Sequence, residues 1–251
     1  MAKTLEALKR AEKEYHKNLL EPAKKEDFER PTVLRSREQL AIEPALNQYE
    51  GLTTKIFKNL SDKSTKTILF TGTTAGSGSS KIAVKSAISL ARGRHNDVLL
   101  IDVKLGSPSL HEVFNIENSF GGLSDFLTQK GKVDPLLKKV GSGNLHVLTC
   151  GRKYSGPESL FHSNRFNDFI EAVKEKFDCI IFDAPPVNGS AEAKVLASKV
   201  DGVILVIESG KTRRQVAIRA RKELEAAGGM FLGVILNKKK YYIPNWIYKR
   251  L

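Results

Sequence analysis

The feature that most constrains the fold is a run of small and polar residues, 71–81, between an apolar segment and a helix-patterned one. The apolar segment is 67–70, and apolar residues recur at helical spacing over 82–91. This is the layout of a phosphate-binding loop, because small residues let backbone N–H groups converge on phosphate oxygens and the following helix points its positive dipole end at them. The sequence therefore predicts an α/β fold with a phosphate loop at a strand–helix junction.

The loop departs from the usual G-x-x-x-x-G-K-[ST] signature at two positions. Gly78 and Ser80 match the second glycine and the metal-binding hydroxyl, whereas Ser79 replaces the lysine and Thr73 the first glycine. Loss of the lysine removes charge-assisted hydrogen bonds of about 1.5 to 3 kcal/mol each. Lys81 is a poor substitute, since two residues along a helix turn its side chain to roughly the opposite face. The residues expected to contact a nucleotide are Thr74, Ala75, Gly76, Ser77, Gly78, Ser79, Ser80 and Lys81.

Apolar runs of strand length alternate with helix-patterned segments along the rest of the chain. The predicted strands are 97–103, 144–148, 179–183, 202–207 and 231–237, and the main predicted helices are 164–177, 191–200 and 212–227. Strands that are apolar on both faces and alternate with helices predict a mainly parallel sheet covered on each side, in three α/β/α layers. Ligands of such sheets bind at the carboxyl ends of the strands, where the phosphate loop, Asp102, Asp183 and Asn237 should meet.

Two carboxylates end predicted strands, Asp102 and Asp183. Beside a phosphate loop, such a carboxylate holds magnesium or orients the attacking group. Either residue alone would be read more simply as a polar strand terminus or a helix cap. Together with the loop, in this chain order, they favour descent from a nucleotide site, with Ser80 and Asp183 as the metal ligands and Asp102 and Asp183 as catalytic positions.

Charge and composition narrow the class of protein. The 251 residues, 41% of them hydrophobic, suffice for one hydrophobic core. The formal net charge of +13 favours anionic partners such as a nucleotide, nucleic acid, anionic lipid or an acidic protein face. No apolar run approaches the roughly 20 residues of a membrane span, and the first residues lack a signal-peptide core. We therefore expect a cytoplasmic protein with a single main domain, 46–240.

Together these motifs resemble those of the cytoplasmic bacterial tyrosine kinases of capsule and exopolysaccharide systems, which are grouped with the Min/Par-type P-loop ATPases. The run 98–102 resembles the second Walker motif of that family, and 180–187, with its proline pair, resembles its Walker B motif. The stretches 122–127, 156–160 and 201–206 are also similar to the family. The resemblance implies a P-loop NTPase-like domain with ATP or ADP and magnesium as cofactors.

Three patterns of the family are altered in this chain. Ser79 replaces the loop lysine, and Lys104 stands where the second Walker motif carries a second aspartate. The positions matching the E-x-x-R-x-x-R pattern of ring assembly are Asn47, Glu50 and Thr53. A lysine beside the metal position opposes magnesium, since like unit charges about 4 Å apart repel by roughly 4 kcal/mol at intermediate dielectric. We expect weak nucleotide binding and impaired magnesium chemistry.

Lys104 leaves two arrangements open. If Asp102 closes its strand, Lys104 lies just beyond the carboxyl end, and its side chain reaches either the phosphates and the magnesium position or the solvent. In the first case the site favours a metal-free nucleotide or stays empty. The second case removes Lys104 from the site altogether.

The leading functional hypothesis is a degenerate tyrosine-kinase homologue, a pseudokinase. It would bind a membrane-embedded chain-length or co-polymerase protein of exopolysaccharide or capsule synthesis and export, at the periphery of the inner membrane. An active autokinase with Lys104 as a relocated lysine is the first alternative. A Par-type DNA-binding partition ATPase is the second; the basic charge allows it, whereas the proline pair and the tyrosine-containing tail disfavour it.

The C-terminal tail 241–251 follows three lysines, and residues 238–251 together mix aromatic residues with five basic residues and have no acidic residue. The resemblance implies that its tyrosines, Tyr241, Tyr242 and Tyr248, are phosphate acceptors, with an active homologous kinase as a further partner. The same composition suits an anionic membrane surface, or a packed tail whose lysines extend to water.

The N-terminal residues 1–20 carry a narrow apolar stripe, including Leu5, Leu8 and Tyr15, that predicts an amphipathic helix. Charged, proline-interrupted residues 21–45 predict a flexible linker.

We predict that deletion of 1–20 leaves the midpoint of thermal unfolding unchanged and weakens capture of the cognate membrane partner. A large fall in thermal stability would instead mean that this helix packs on its own domain.

Overall fold

The computed structural model describes residues 51, 65–92, 97–117, 121–129, 131–141, 143–154 and 156–239. The predicted N-terminal helix, the linker, the ring-assembly positions and the tyrosines of the tail lie outside the described residues. Within the described part, no helix combines the length and apolarity needed to cross a membrane.

The described strands form one seven-stranded sheet in the order β3-β4-β2-β5-β1-β6-β7. The strands are β1 (Thr67–Gly72), β2 (Val98–Asp102), β3 (Lys138–Val140), β4 (Leu145–Leu148), β5 (Cys179–Asp183), β6 (Gly202–Glu208) and β7 (Phe231–Asn237). All neighbouring pairs are parallel except β3 and β4. From residue 65 onward, the described α-helices are α1 (Ser79–Arg92), α2 (Leu110–Phe114), α3 (Leu123–Thr128), α4 (Pro157–Phe161), α5 (Asn164–Lys176), α6 (Glu192–Ala197) and α7 (Arg214–Ala226).

Helices cover both faces of the sheet, and for this reason every residue of β1, β2 and β5 is buried. Leu69 and Phe182 belong to one core cluster with Phe169 of α5, while Phe70 belongs to the other with Ile82 of α1. Full burial of such a side chain contributes about 1.5 to 3 kcal/mol. The predicted three-layer fold with a mainly parallel sheet is confirmed.

Sequence periodicity located the parallel strands and the three longest helices better than the other elements. The predicted strands 179–183 and 231–237 have the observed bounds, whereas α1 begins at Ser79, before its first apolar residue. Helices α2, α3 and α4 and strand β3 were not predicted. These elements have three to six residues and contain no run of three apolar residues, so no apolar pattern distinguishes them from the neighbouring loops.

At the amino end of the sheet, Asp201 joins the start of β1 to the start of β6. Its Oδ2 accepts hydrogen bonds from Lys66 N at 2.9 Å, from Thr67 N at 2.8 Å and from Thr67 Oγ1 at 2.8 Å. Its Oδ1 accepts from Lys174 Nζ at 2.9 Å. Burial on its own raises the pKa of Asp201, but the hydrogen bonds from Lys174, Thr67 and Lys66 outweigh burial and hold this pKa below its ordinary value.

We predict that Asp201→Ala lowers the free energy of unfolding at pH 7 by about 2 to 3 kcal/mol, because hydrogen bonds to a charged acceptor are lost and two backbone donors lose their partner. Asp168→Ala, on the exposed side of α5, is the matched control. Since the folded pKa is lowered, the contribution of Asp201 is present above the unfolded pKa and disappears as the pH falls through the folded one. Urea unfolding at pH 7 and pH 3 tests this, and an equal deficit at both pH values would contradict it.

Candidate functional site

The phosphate loop joins β1 to α1 and keeps the backbone geometry expected of it. Gly76 and Gly78 have φ values of 79° and 89°, in the left-handed region that glycine adopts without strain. A Cβ atom at Gly78 would lie 2.3 Å from Asn237 Nδ2, so this position also needs glycine for space. The first N–H groups of a helix such as α1 have no partner within the helix. The backbone conformation that a phosphate-binding loop needs at these two glycines is therefore present, although the lysine is absent.

The residues predicted to contact a nucleotide lie along this loop and the first turn of α1. Thr74, Ala75 and Gly76 are exposed, Ser77 is buried, and Gly78, Ser79 and Ser80 are half-buried. Lys81 is exposed. The pKa of Lys85, one turn further along α1, is lowered mainly by the burial of Lys85 and in addition by the nearby ammonium of Lys81. Lys81 therefore lies on the solvent side of α1, as expected for a residue that does not replace the loop lysine.

Asp102 and Asp183 pair with each other in register at the carboxyl ends of β2 and β5. Both oxygens of Asp102 accept backbone hydrogen bonds, Oδ1 from Lys104 N at 3.1 Å and Oδ2 from Ser109 N at 2.8 Å and Leu110 N at 2.9 Å. These bonds shape the turn between β2 and α2. The contacts of Asp102 are those of a strand terminus that caps the next helix, the simpler of the two roles open to it from sequence.

The turn held by Asp102 directs the side chain of Lys104 into the site and away from solvent. Its ammonium donates to Ser80 Oγ at 2.7 Å, to Ser109 Oγ at 2.5 Å and to Asp183 Oδ2 at 2.7 Å. A lysine ammonium has three N–H donors, so all of them are used. Lys104 is 8% exposed and forms a buried ion pair with Asp183. Lys104 thus takes the inward arrangement, between the two predicted metal ligands.

Asp183 is completely buried. Burial raises the pKa of its carboxyl group; the ammonium of Lys104 opposes this increase, and the neighbouring Asp102 adds to it. Asp183 Oδ2 is bonded to Lys104, but Oδ1 is buried and finds no hydrogen-bond partner among the described residues. A buried oxygen without a donor costs free energy. A ligand group or an ordered water is therefore most needed at this atom.

The predicted magnesium ligands do not fit the ion in this arrangement. Ser80 Oγ and Asp183 Oδ2 both accept a hydrogen bond from Lys104. Magnesium binds oxygen at about 2.0 to 2.1 Å, so an ion shared by these oxygens would contact the ammonium. The position between the two ligands already holds a cation, and that cation is Lys104.

A second lysine, Lys238, lies against the outside of the phosphate loop. Its Nζ donates to Gly76 O at 2.7 Å and lies 3.3 Å from Glu208 Oε1, while the adjacent Asn237 donates from Nδ2 to Ser77 O at 2.8 Å. Lys238 has a left-handed backbone, with φ 56°, directly after the end of β7. Sequence reasoning placed Asn237 at this edge and missed Lys238, although a basic residue directly after a strand end was the available signal.

Relatives named tyrosine-protein kinases share about a third of their residues with this chain. YwqD of Bacillus subtilis is 33% identical over 193 residues, which cover 77% of this chain and 81% of YwqD. CpsD of Streptococcus pneumoniae serotype 4 is 32% identical over 209 residues, which cover 83% of this chain and 91% of CpsD. No protein-family model matches the chain.

The fold is also similar to a solved kinase domain. The kinase domain of the Escherichia coli tyrosine kinase ETK superposes with a TM-score of 0.74 and 26% identity, over 80% of this chain and 78% of that one. Similarity in sequence and in fold therefore extends over most of the chain and is not confined to the phosphate loop.

We predict that Lys104→Met and Asp183→Asn are strongly coupled in folding. Removing one partner of a buried ion pair costs about 3 to 5 kcal/mol, because the other charge stays buried and uncompensated. The double variant should therefore lose at least about 2 kcal/mol less than the sum of the single losses in urea unfolding. Lys176→Met with Asp134→Asn, a largely exposed pair, is the control and should couple by less than about 1 kcal/mol. Additive losses at Lys104 and Asp183 would contradict the ion pair.

Proposed function

The chain belongs to the family of bacterial tyrosine-protein kinases, and from this premise we propose that it is a pseudokinase, a member that has lost magnesium-dependent kinase chemistry and acts by binding. It would act as a cytoplasmic regulatory component of exopolysaccharide or capsule synthesis and export. Such a protein retains the fold of the family and acts through contacts between its surface and other molecules.

One observation supports the loss of kinase chemistry above all others, the position of the Lys104 ammonium. Phosphoryl transfer in P-loop enzymes needs a metal ion that bridges the phosphates and is held by the loop hydroxyl and the Walker B aspartate. The corresponding residues, Ser80 and Asp183, are both hydrogen-bonded to Lys104. With Ser79 in the lysine position, the site also lacks the cation that normally neutralises the transferred phosphate.

The alternative of an active autokinase needs Lys104 to do the work of the missing loop lysine. Its ammonium instead contacts Ser80, Ser109 and Asp183, the side of the site that the metal would use. The alternative of a partition ATPase was supported by the basic charge alone, and family membership favours the kinase-like reading over it.

The proposed partner is a membrane-embedded polysaccharide chain-length or co-polymerase protein, which would hold the chain at the periphery of the membrane. Its support is the family, together with a net charge of +13 that favours acidic partner faces and anionic membrane surfaces. The segments predicted to make these contacts, 1–20 and 241–251, lie outside the described residues. Phosphate on Tyr241, Tyr242 or Tyr248 would be added by an active homologous kinase.

We predict that the purified protein does not phosphorylate itself in magnesium and ATP, whereas an active homologous kinase added in trans labels the tail tyrosines. Mass spectrometric mapping of phosphotyrosine checks both parts, with the active kinase alone as the positive control. The double variant Ser79→Lys with Lys104→Asp, which restores both family residues, should gain self-labelling above the wild type. Efficient self-labelling of the wild type that Asp183→Asn abolishes would overturn the proposal.

A further inference from the structure

We propose that one face of the folded domain, at the last strand of the described sheet, docks on a membrane surface that contains anionic lipids. This α7–β7 face has an apolar centre and a basic border, formed respectively by Ile218, Val234 and Leu236 and by Arg213, Arg214 and Lys239. The inference rests on the proposed function in one respect, that the chain works at the periphery of the membrane. It adds that the folded domain itself contacts lipid.

Two of the apolar side chains lie on β7, the end strand of the described sheet. Val234 pairs in register with Leu205, and Leu236 pairs with Ile207. Leu205 belongs to the core cluster that includes the buried residues of α7, and Ile207 packs against that cluster. Residues paired across a parallel sheet point to the same face. Val234 and Leu236 therefore point to the α7 side of the sheet, where they are 49% and 53% exposed.

Helix α7 supplies the third apolar side chain. It follows the carboxyl end of β6 and ends before the amino end of β7, so it runs antiparallel to β7. The guanidinium of Arg221 lies 4.9 Å from the centre of the Phe231 ring, at the start of β7. Ile218, three residues earlier, shares that helix face one turn nearer the carboxyl end of the sheet, beside Val234, and is 42% exposed. Single exposed apolar residues are ordinary, whereas a group of neighbours indicates an interaction surface.

The basic border lies where the start of α7 meets the end of β7. Ser209 N donates to Asn237 O at 2.8 Å and joins the two segments. Residues 208–214 and 237–239 contain five basic residues and one acidic residue, Glu208. Glu208 is shared between two lysines, with Lys211 Nζ 3.5 Å from Oε2 and Lys238 Nζ 3.3 Å from Oε1. The junction therefore has a strong excess of positive charge.

Arg213 and Arg214 do not stabilise the helix that they begin. Arg213 is the N-cap of α7, and the first turn has no acidic residue, although positive charge at a helix N-terminus opposes the helix dipole. Later in α7, Arg219 and Arg221 each donate to a glutamate one turn further along. The positions one turn after Arg213 and Arg214 are apolar, and both arginines are exposed. Their charges are therefore available to an anion outside the molecule.

An anionic bilayer fits this combination better than a protein surface does. Apolar side chains enter the boundary below the headgroups while neighbouring cations contact the lipid phosphates. A second copy of the same face is disfavoured, because like charges repel. The chain leaves this face at Lys239, and residues 240–251 contain a tryptophan, three tyrosines, three basic residues and no acidic residue. Such aromatic and basic composition is typical of the membrane–water interface, so the sequence beyond β7 continues the chemistry of the face.

Sedimentation of the full chain with lipid vesicles tests the proposal. Vesicles of phosphatidylcholine mixed with phosphatidylglycerol are compared with vesicles of phosphatidylcholine alone, at low and at physiological salt. The proposal predicts binding at least about ten-fold tighter to the anionic vesicles, and weaker binding as salt screens the charges. Equal binding to both vesicles would overturn it. Absence of binding to either would also overturn it and would favour an acidic protein as the occupant of the face.

A charge variant identifies the basic border. The double variant Arg213→Gln with Arg214→Gln should weaken binding to anionic vesicles by at least about ten-fold, since each basic residue near such a surface contributes about five-fold. Lys138→Gln with Lys139→Gln removes the same charge from β3, at the opposite edge of the sheet, and is the matched control. The control should change the affinity by less than about three-fold. Equal effects of the two double variants would mean that only the net charge acts.

An apolar variant identifies the centre of the face. Val234→Thr with Leu236→Thr keeps β-branched side chains in the strand, removes apolar surface and should weaken binding by at least about five-fold. Met230→Thr, at the amino end of β7 and 61% exposed, is the control and should change the affinity by less than about two-fold. Thermal unfolding without vesicles shows whether each variant is folded. If the threonine variant does not fold, the arginine pair decides the question.

Deletion of 241–251 distinguishes the face from the tail. The face predicts that the shortened chain still prefers anionic vesicles and still responds to the arginine pair. Loss of all binding on deletion, with no effect of the arginine pair in the full chain, would overturn the face. None of these failures affects the pseudokinase proposal, since self-phosphorylation is measured without vesicles. Self-phosphorylation together with binding through the face would overturn the pseudokinase proposal alone.

Discussion

The buried ion pair of Lys104 and Asp183 is the interaction on which the whole carboxyl edge of the sheet depends. It links β5 to the turn after β2, and through Ser80 it links both to the first turn of α1. Two charges taken out of water must stabilise each other, because either one alone is costly in the interior. Asp102 makes the pair possible, since its bonds to backbone N–H groups set the turn that carries Lys104 inward.

Sequence patterns predicted the fold, and which residues meet at the carboxyl edge of the sheet, better than they predicted the contacts between those residues. Strand-length apolar runs that ended at Asp102 and Asp183 implied a parallel sheet and therefore a common edge, and the register pairs those two residues. The same patterns placed Asp102 and Asp183 alike at strand ends as catalytic positions, whereas only Asp183 contacts the ammonium of Lys104. The difference lies in which way each carboxylate turns, and that depends on the backbone of the turn at Ser109, which no periodicity records.

Lys104 and Lys238 show the same limit of prediction from sequence. Lys104 was singled out because it replaces an expected residue in a recognisable motif, but whether it faced the site or solvent depended on the turn that Asp102 caps. Lys238 belongs to no motif, and its contact with Gly76 joins residues 162 positions apart in sequence. A departure from a pattern can be read from one chain, while a new partner brought in by the sheet becomes visible only in three dimensions.

The contact between Lys238 and the phosphate loop has a mechanical consequence. Lys238 lies at the point where the chain leaves the end of β7, so its side chain touches the loop while its backbone leads into the C-terminal residues. Residues 162 positions apart are thereby fastened to each other, so the end of the last strand of the sheet cannot move away from the loop after β1 without breaking this hydrogen bond.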